Sequence, residues 1–203
     1  MTRLAHRGLR AANAWAGVAA LLCVAALVGW PIQREALDWQ PGLAFTQPWR
    51  ALTAVAVHYN GIHLAGAVAG TVLTGALGFA ANVPARLVWA WLVAWPLTHF
   101  GLLIKPELVH YGGVSGVVHA GVAAVIVFLL VQKKRPQRLI GAAMLVGILI
   151  KVLGETPWGP ALRHPEGWGI AVAPIGHATG ALAGAFCALV ALLIHSPHRP
   201  DSE

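Results

Sequence analysis

Residues 112–131 read GGVSGVVHAGVAAVIVFLLV, a stretch without a charged residue that begins with two glycines and a serine. A spanning helix needs about 20 mostly apolar residues, with a range of about 17–25, so residues 114–131 predict one. Ser115 and His119 lie four residues apart near its start. Polar and ionisable side chains inside spanning helices are costly and usually functional. This stretch therefore predicts both a membrane helix and the place where its chemistry is concentrated.

Five further apolar stretches flank this one. The sequence predicts spanning helices over residues 11–30, 58–81, 87–104, 114–131, 138–154 and 170–194. We therefore expect residues 1–203 to form a single transmembrane domain, an all-α bundle of six helices. The first helix is expected to be an uncleaved anchor, because its apolar stretch is longer than a signal-peptide core and no clear cleavage site follows it.

The composition also indicates a membrane protein. Hydrophobic residues make up 58% of the chain and charged residues 10%, whereas soluble domains average about 45–50% and about 25%. The net charge is +7, but the charges lie between apolar segments and form no basic face with interleaved aromatics, which argues against nucleic-acid partners. Cys23 and Cys187 lie inside apolar runs and predict core positions without a disulfide.

Lysine and arginine predict the orientation, since cytoplasmic loops carry their excess. With six spans, nine fall on the side of both termini and four on the other. The nine are Arg3, Arg7, Arg10, Arg86, Lys133, Lys134, Arg135, Arg138 and Arg199, and the four are Arg34, Arg50, Lys105 and Arg163. Both termini are therefore expected in the cytoplasm, so that the second, fourth and sixth helices begin at the outer face.

Polar residues at the starts of those three helices are expected to meet at one depth. They are His58 and His63 in the second helix, Ser115 and His119 in the fourth, and His177 in the sixth. Glycine pairs four apart let helices approach closely, and such pairs accompany Ser115 and His177. A close approach would bring a serine nucleophile within hydrogen-bond distance of a histidine base. Unpaired N–H groups at the start of the fourth helix would face an oxyanion.

Two other interpretations remain open at this point. A helix serine often bonds back to a backbone carbonyl, and glycine pairs are common in membrane bundles. The histidines also suggest a haem or metal site, since neutral imidazole is the commonest metal ligand. That site would use His58, His63, His119 and His177. Against a metal site, no acidic or thiol ligand is expected at that depth, and glycines around a serine would have no purpose.

In order and spacing, these residues resemble the rhomboid family of intramembrane serine proteases along nearly the whole chain. The matching motifs are GxSG at residues 113–116, His177 with Gly180 and Gly184, the pair His58 and His63, and Trp49-Arg50 in the first outer loop. The resemblance implies a Ser115–His177 dyad without an acidic member, which cleaves transmembrane protein substrates. It also implies no metal or cofactor.

The same resemblance implies that the Ser115 N–H and the His63 side chain hold the oxyanion. The residues expected to support them are Gly113, Gly116, His119, His58 and Asn60. Many rhomboids have an asparagine where this chain has Ala67, which favours a slow enzyme or an inactive rhomboid-like protein that binds transmembrane helices. Many also have a tyrosine where this chain has His119, and we expect this imidazole to orient His177 by stacking or a hydrogen bond.

His119, the short chain and the pair Lys151 and Glu155 are similar to the rhombosortase branch of the family. That similarity implies a protein of the bacterial inner membrane that removes C-terminal Gly-Gly-type sorting tails at the outer face. Lys151 and Glu155 are four residues apart, so an ordinary ion pair that stabilises the fifth helix is an alternative explanation for them.

Overall fold

The computed structural model describes residues 3–194, with side chains from residue 13 onward, and this part of the chain is all-helical. Its long helices are α1 (Arg3–Gly29), α2 (Gly61–Ala80), α3 (Ala85–Phe100), α4 (Ser115–Leu130), α5 (Arg135–Gly154) and α6 (Pro174–Ile194). Two single-turn helices, Arg34–Leu37 and Arg50–Thr53, lie in the loop between α1 and α2. The side chains of Arg3, Arg7 and Arg10, and the whole of Arg199, lie outside the described residues.

Four helical segments are long and apolar enough to cross a membrane. They are Gly61–Ala80, Ala85–Ile104, Arg135–Gly154 and Pro174–Ile194. The segments Asn13–Gly29 and Ser115–Leu130 are apolar but shorter. A bundle of apolar helices is thus confirmed, whereas the count of six spans stays a prediction.

Two helix starts differ from the predicted ones in a way that affects the site. Helix α2 begins at Gly61, because the side-chain oxygen of Asn60 accepts a hydrogen bond from the His63 N–H at 2.7 Å and caps the helix. His58 therefore lies in the loop before α2. Helix α6 begins at Pro174, a residue that suits the first turn because it has no N–H to leave unpaired. Val172 instead exchanges two backbone hydrogen bonds of 2.8 Å with Arg163.

The pairing of α4 with α6 is the most extensive helix contact in the described structure. Glycines make it possible, since a Cβ at Gly180 would overlap the backbone of Gly116, and one at Gly184 would overlap that of Ala120. Close backbone contact between small residues is a common way for membrane helices to associate. This contact brings the first turns of α4 and α6 together.

Helix α4 is the central helix and α5 the most peripheral one. More than half of the α4 residues are buried, whereas only Gly141 and Val152 are buried on α5. The large apolar side chains of α5 point outward, including Leu139, Val146 and Ile150. An apolar surface of this extent is stable in contact with lipid, so α5 lies at the lipid-facing edge of the bundle.

Candidate active site

Ser115 is the first residue of α4, and the loop before it is tightly held. Gly113 has a φ of +121°, a region that L side chains rarely adopt. Its N–H donates to the carbonyl of Ala54 at 2.8 Å, and Tyr111 exchanges backbone hydrogen bonds of 2.8 and 2.9 Å with Trp39. The first N–H groups of a helix have no partner within it. The loop therefore presents Ser115 with its hydroxyl and these N–H groups at the helix start.

A buried ion pair holds the loop between α1 and α2, to which Tyr111 is attached by its hydrogen bonds with Trp39. Arg50 donates to the carboxylate of Asp38 at 3.2 Å and to the carbonyl oxygens of Asp38 and Glu35, each at 2.9 Å. The same carboxylate lies 2.6 Å from His110 Nδ1. Trp49 is exposed beside this network. Arg50 thus acts within the loop and does not reach the serine.

The imidazole of His177 faces the Ser115 hydroxyl across the α4–α6 contact. Its Nε2 lies 3.1 Å from Ser115 Oγ. Both residues line a cavity of about 410 Å³ that also includes His63, Tyr111 and Arg34. A hydroxyl and an imidazole at this distance form the geometry of an activated nucleophile and its base.

The other nitrogen of the same imidazole contacts a carboxylate. His177 Nδ1 lies 2.6 Å from Glu155 Oε2, and the other oxygen of Glu155 pairs with Lys151. The expected pair of Ser115 and His177 therefore has an acidic side chain at hydrogen-bond distance from its histidine. The physical reason is that α5 ends at Gly154, at the level where α6 begins, so the next residue faces His177. One sequence signal could have found this contact, because the predicted fifth helix ends at residue 154, which puts Glu155 at the predicted depth of the site.

Glu155 is ionised over the whole physiological pH range. Burial by itself raises the pKa of this carboxyl group, but the hydrogen bonds and charges of His177 and Lys151 outweigh burial and lower the pKa to about 2. The side chain is 22% exposed, which leaves it within reach of water. A full negative charge therefore lies beside the imidazole.

His119 lies flat against His177. The two rings are 4.3 Å apart between centroids and 16° from parallel. His119 Nδ1 is 2.8 Å from the Ser115 carbonyl oxygen, which only accepts hydrogen bonds, so Nδ1 carries the proton. This bond fixes the ring one turn after the serine.

His63 presents a nitrogen that donates toward the serine loop. Its Nδ1 accepts the Tyr59 N–H at 3.3 Å, so in the neutral ring the proton is on Nε2. The Nε2 atom packs against Gly113. His58 is buried with its ring centroid 4.9 Å from that of His63, and burial lowers the pKa of His58. His58 thus packs behind His63 and does not reach Ser115.

Asn60 and Ala67 offer no further donor to the site. The Asn60 oxygen caps α2, and its amide nitrogen donates to the Trp168 carbonyl at 2.6 Å. Ala67 is buried and lines a second cavity, of about 580 Å³, together with Ser115 and His177. Asn60 therefore belongs to the cap of α2 and to the contact of that cap with the loop that carries Trp168.

The histidines form two pairs and not one cluster. His58 packs on His63, and His119 packs on His177. Among the side chains that the structure describes, those of residues 13–194, no group of three or more His, Cys, Asp or Glu is arranged to hold a metal ion. The geometry thus gives the haem or metal alternative no support.

A helical membrane bundle with a serine and a histidine in hydrogen-bond contact at the start of two helices defines a narrow class of proteins. The chain matches the Rhomboid domain family over residues 46–194, which include both residues and five of the long helices, α2 to α6, in full. It belongs to the rhomboid family and is an integral membrane protein. Members of this family are generally serine-type intramembrane endopeptidases that act on transmembrane substrates. No curated protein matches the chain.

Proposed function

We propose that this protein is a serine endopeptidase that cleaves membrane-anchored proteins within the bilayer, with Ser115 as nucleophile and His177 as base. The observation that carries the proposal is the 3.1 Å contact between Ser115 Oγ and His177 Nε2 beside a cavity. A hydroxyl is a weak nucleophile until a neighbouring base takes its proton, and this contact supplies that base.

The reaction proceeds in two halves. His177 Nε2 takes the Ser115 proton as the oxygen attacks the substrate carbonyl, and His177 then gives the proton to the leaving amine. In the second half, water attacks the acyl-enzyme while His177 takes its proton, and His177 returns that proton to Ser115 Oγ as the ester bond breaks and the new carboxyl end of the substrate leaves. The Ser115 N–H and the His63 Nε2–H would hold the oxyanion, and the packing of His63 Nε2 against Gly113, two residues before Ser115, supports this role. Donors of this kind typically contribute about 3–4 kcal/mol each to the transition state.

The length of α4 favours a cleavage site below the membrane surface. Its 16 residues span about 24 Å at 1.5 Å per residue, which is less than the roughly 30 Å of the hydrocarbon core. With the Leu130 end at the cytoplasmic face, Ser115 lies several ångströms inside the outer leaflet. This depth and the predicted orientation, with both termini in the cytoplasm, favour cleavage near the outer face.

For the substrate, we propose proteins of the bacterial inner membrane with a C-terminal Gly-Gly-type sorting tail, as in the rhombosortase branch. His119 and the pair Lys151 and Glu155 support this branch, since all three lie at the site. The wall of the larger cavity includes Gly66, and a side chain added there would meet no other part of the structure within 4 Å. The open space at this position leaves room for a glycine-rich backbone beside the site.

A second candidate is a catalytically weak or inactive protein that binds transmembrane helices. It is favoured by Ala67, which gives the cavity no donor where many rhomboids have an asparagine. Both candidates share the fold and the cavities, so they differ only in whether Ser115 reacts.

Labelling of the purified protein with a fluorophosphonate probe tests the proposal. The site of labelling is located by mass spectrometry in the full chain and in its Ser115→Ala and His177→Ala variants. We expect label on Ser115, none in Ser115→Ala and much less in His177→Ala. A folded protein without label would favour the helix-binding alternative.

A further inference from the structure

We infer that Glu155 is a positioning residue for His177, so that the active unit is a chain of Ser115, His177 and Glu155. The inference rests on the proposed function, because it assigns a role within that reaction. It comes from the geometry on the far side of the imidazole, where Glu155 Oε2 lies 2.6 Å from His177 Nδ1.

The chemistry of the two partners selects one form of the histidine. An ionised carboxylate only accepts hydrogen bonds, so the contact requires a proton on His177 Nδ1. In the neutral ring, Nε2 is then without a proton and faces the Ser115 hydroxyl as an acceptor. Glu155 thus selects the form of His177 that acts as a base, and its charge stabilises the imidazolium that forms when the serine proton is taken.

Several contacts hold Glu155 in this position. Its Oε1 pairs with Lys151, one turn earlier on α5. Arg163 donates to the Glu155 backbone carbonyl at 2.9 Å and to Thr156 Oγ1 at 3.2 Å. Other titratable groups also face this unit, and they include His63 on α2, His119 on α4, Tyr111 before α4, and Arg163 and His164 in the loop after α5.

An ion pair that only stabilises α5 does not account for this arrangement. Such a pair needs one carboxylate oxygen, and Lys151 is more than half exposed. The second oxygen of Glu155 turns inward to a side chain that is only 13% exposed. Glu166 provides a matched control, because it is a carboxylate in the same outer loop with an exposed side chain.

The experiment measures the rate of Ser115 labelling by a fluorophosphonate at several probe concentrations, for the full-length protein in detergent. This separates the maximal rate from the half-saturating concentration. We expect Glu155→Gln to lower the maximal rate on the order of 100-fold with an unchanged half-saturating concentration. Glu166→Gln should behave as the native protein, and Glu155→Asp, which keeps the charge, should recover part of the rate.

The outcomes separate this inference from the proposed function. If the native protein is labelled and Glu155→Gln is labelled equally fast, the inference is wrong and the proposed function stands. It is also wrong if Glu155→Gln loses rate only in proportion to a loss of folded protein. If the native protein is not labelled, the proposed function fails. In that case, the NMR resonances of the His177 imidazole nitrogens test the inference. It requires a protonated Nδ1 in the native protein and a shift of the Nδ1 resonance in Glu155→Gln.

Discussion

The rings of His119 and His177 stack with centroids 4.3 Å apart, and His119 is itself held by a hydrogen bond to the Ser115 carbonyl. His119, one turn after Ser115 on α4, therefore packs on one face of the His177 ring, while Glu155, at the end of α5, contacts its Nδ1 edge. These two contacts hold the ring of His177 in two directions.

Removal of the stacked ring should weaken the reaction without abolishing it. Aromatic pairs are worth about 0.5–1.5 kcal/mol beyond their buried area, which corresponds to about 2–12-fold in rate. We expect His119→Ala to lower Ser115 labelling by that factor and His119→Tyr, which keeps a flat ring, to retain most of it. Equal losses in both variants would show that the hydrogen bond of His119 matters and the stacking does not.

The stabilisation that the folded protein gains from the pairing of Glu155 should be independent of the ionisation of Glu155 over the neutral pH range. Its folded-state pKa is lowered to about 2, from an ordinary value of 4.5. Its pairing therefore stabilises the folded protein fully above pH 4.5, and this stabilisation is lost as the pH falls toward 2. The gain in melting temperature of the native protein over Glu155→Gln should therefore not shrink between pH 7 and pH 5, and it should shrink as the pH falls below 4.5. A gain that already shrinks between pH 7 and pH 5 would contradict an ionised Glu155.

A donor introduced at Ala67 should accelerate the enzyme. Ala67 lines the same cavity as Ser115 and His177, and a single oxyanion donor is worth about 100–1000-fold in other serine proteases. We expect Ala67→Asn to raise the labelling rate by about 10-fold or more. Ala67→Leu, of similar size but without a donor, is the control. An asparagine variant no faster than the leucine variant would show that this wall does not face the oxyanion.

The contact between α4 and α6 should not tolerate a single methyl group. A Cβ at Gly180 would overlap the Gly116 backbone, whereas the same change at Gly147 on α5 meets nothing within 4 Å. Overpacking typically costs about 1–3 kcal/mol and more where backbone must move. Gly180→Ala should therefore lower the melting temperature in detergent and Gly147→Ala should leave it unchanged. Equal melting temperatures would mean that the two helices separate easily.

The sequence predicted the features that depend on the length of apolar segments and on the spacing of residues along a helix. Apolar runs located the long helices, because lipid requires an uninterrupted apolar stretch in each. The orientation predicted from lysine and arginine brings the starts of three helices to one depth, and this pairs Ser115 with His177 from the sequence alone. Glycines near both residues indicated the close contact that the structure has between Gly116 and Gly180.

What depends on helix ends and loops was harder to predict. His58 was assigned to a helix that begins three residues later, because the cap formed by Asn60 is a local hydrogen bond with no periodic signal. Glu155 was recognised only as the partner of Lys151, since spacing along one helix says nothing about a residue on another. The contact joins Glu155 to a residue 22 positions later in the chain, and it depends on the conformation of the loop between α5 and α6.

The peripheral position of α5 has a mechanical consequence. This helix has only two buried residues, and Glu155 follows directly from its last turn. Any outward swing of α5 that opens the side of the bundle draws the carboxylate away from His177. The position of α5 that would admit a substrate from the lipid is then also the position in which Glu155 no longer contacts His177. Ser115 would therefore react only after α5 has returned to the bundle.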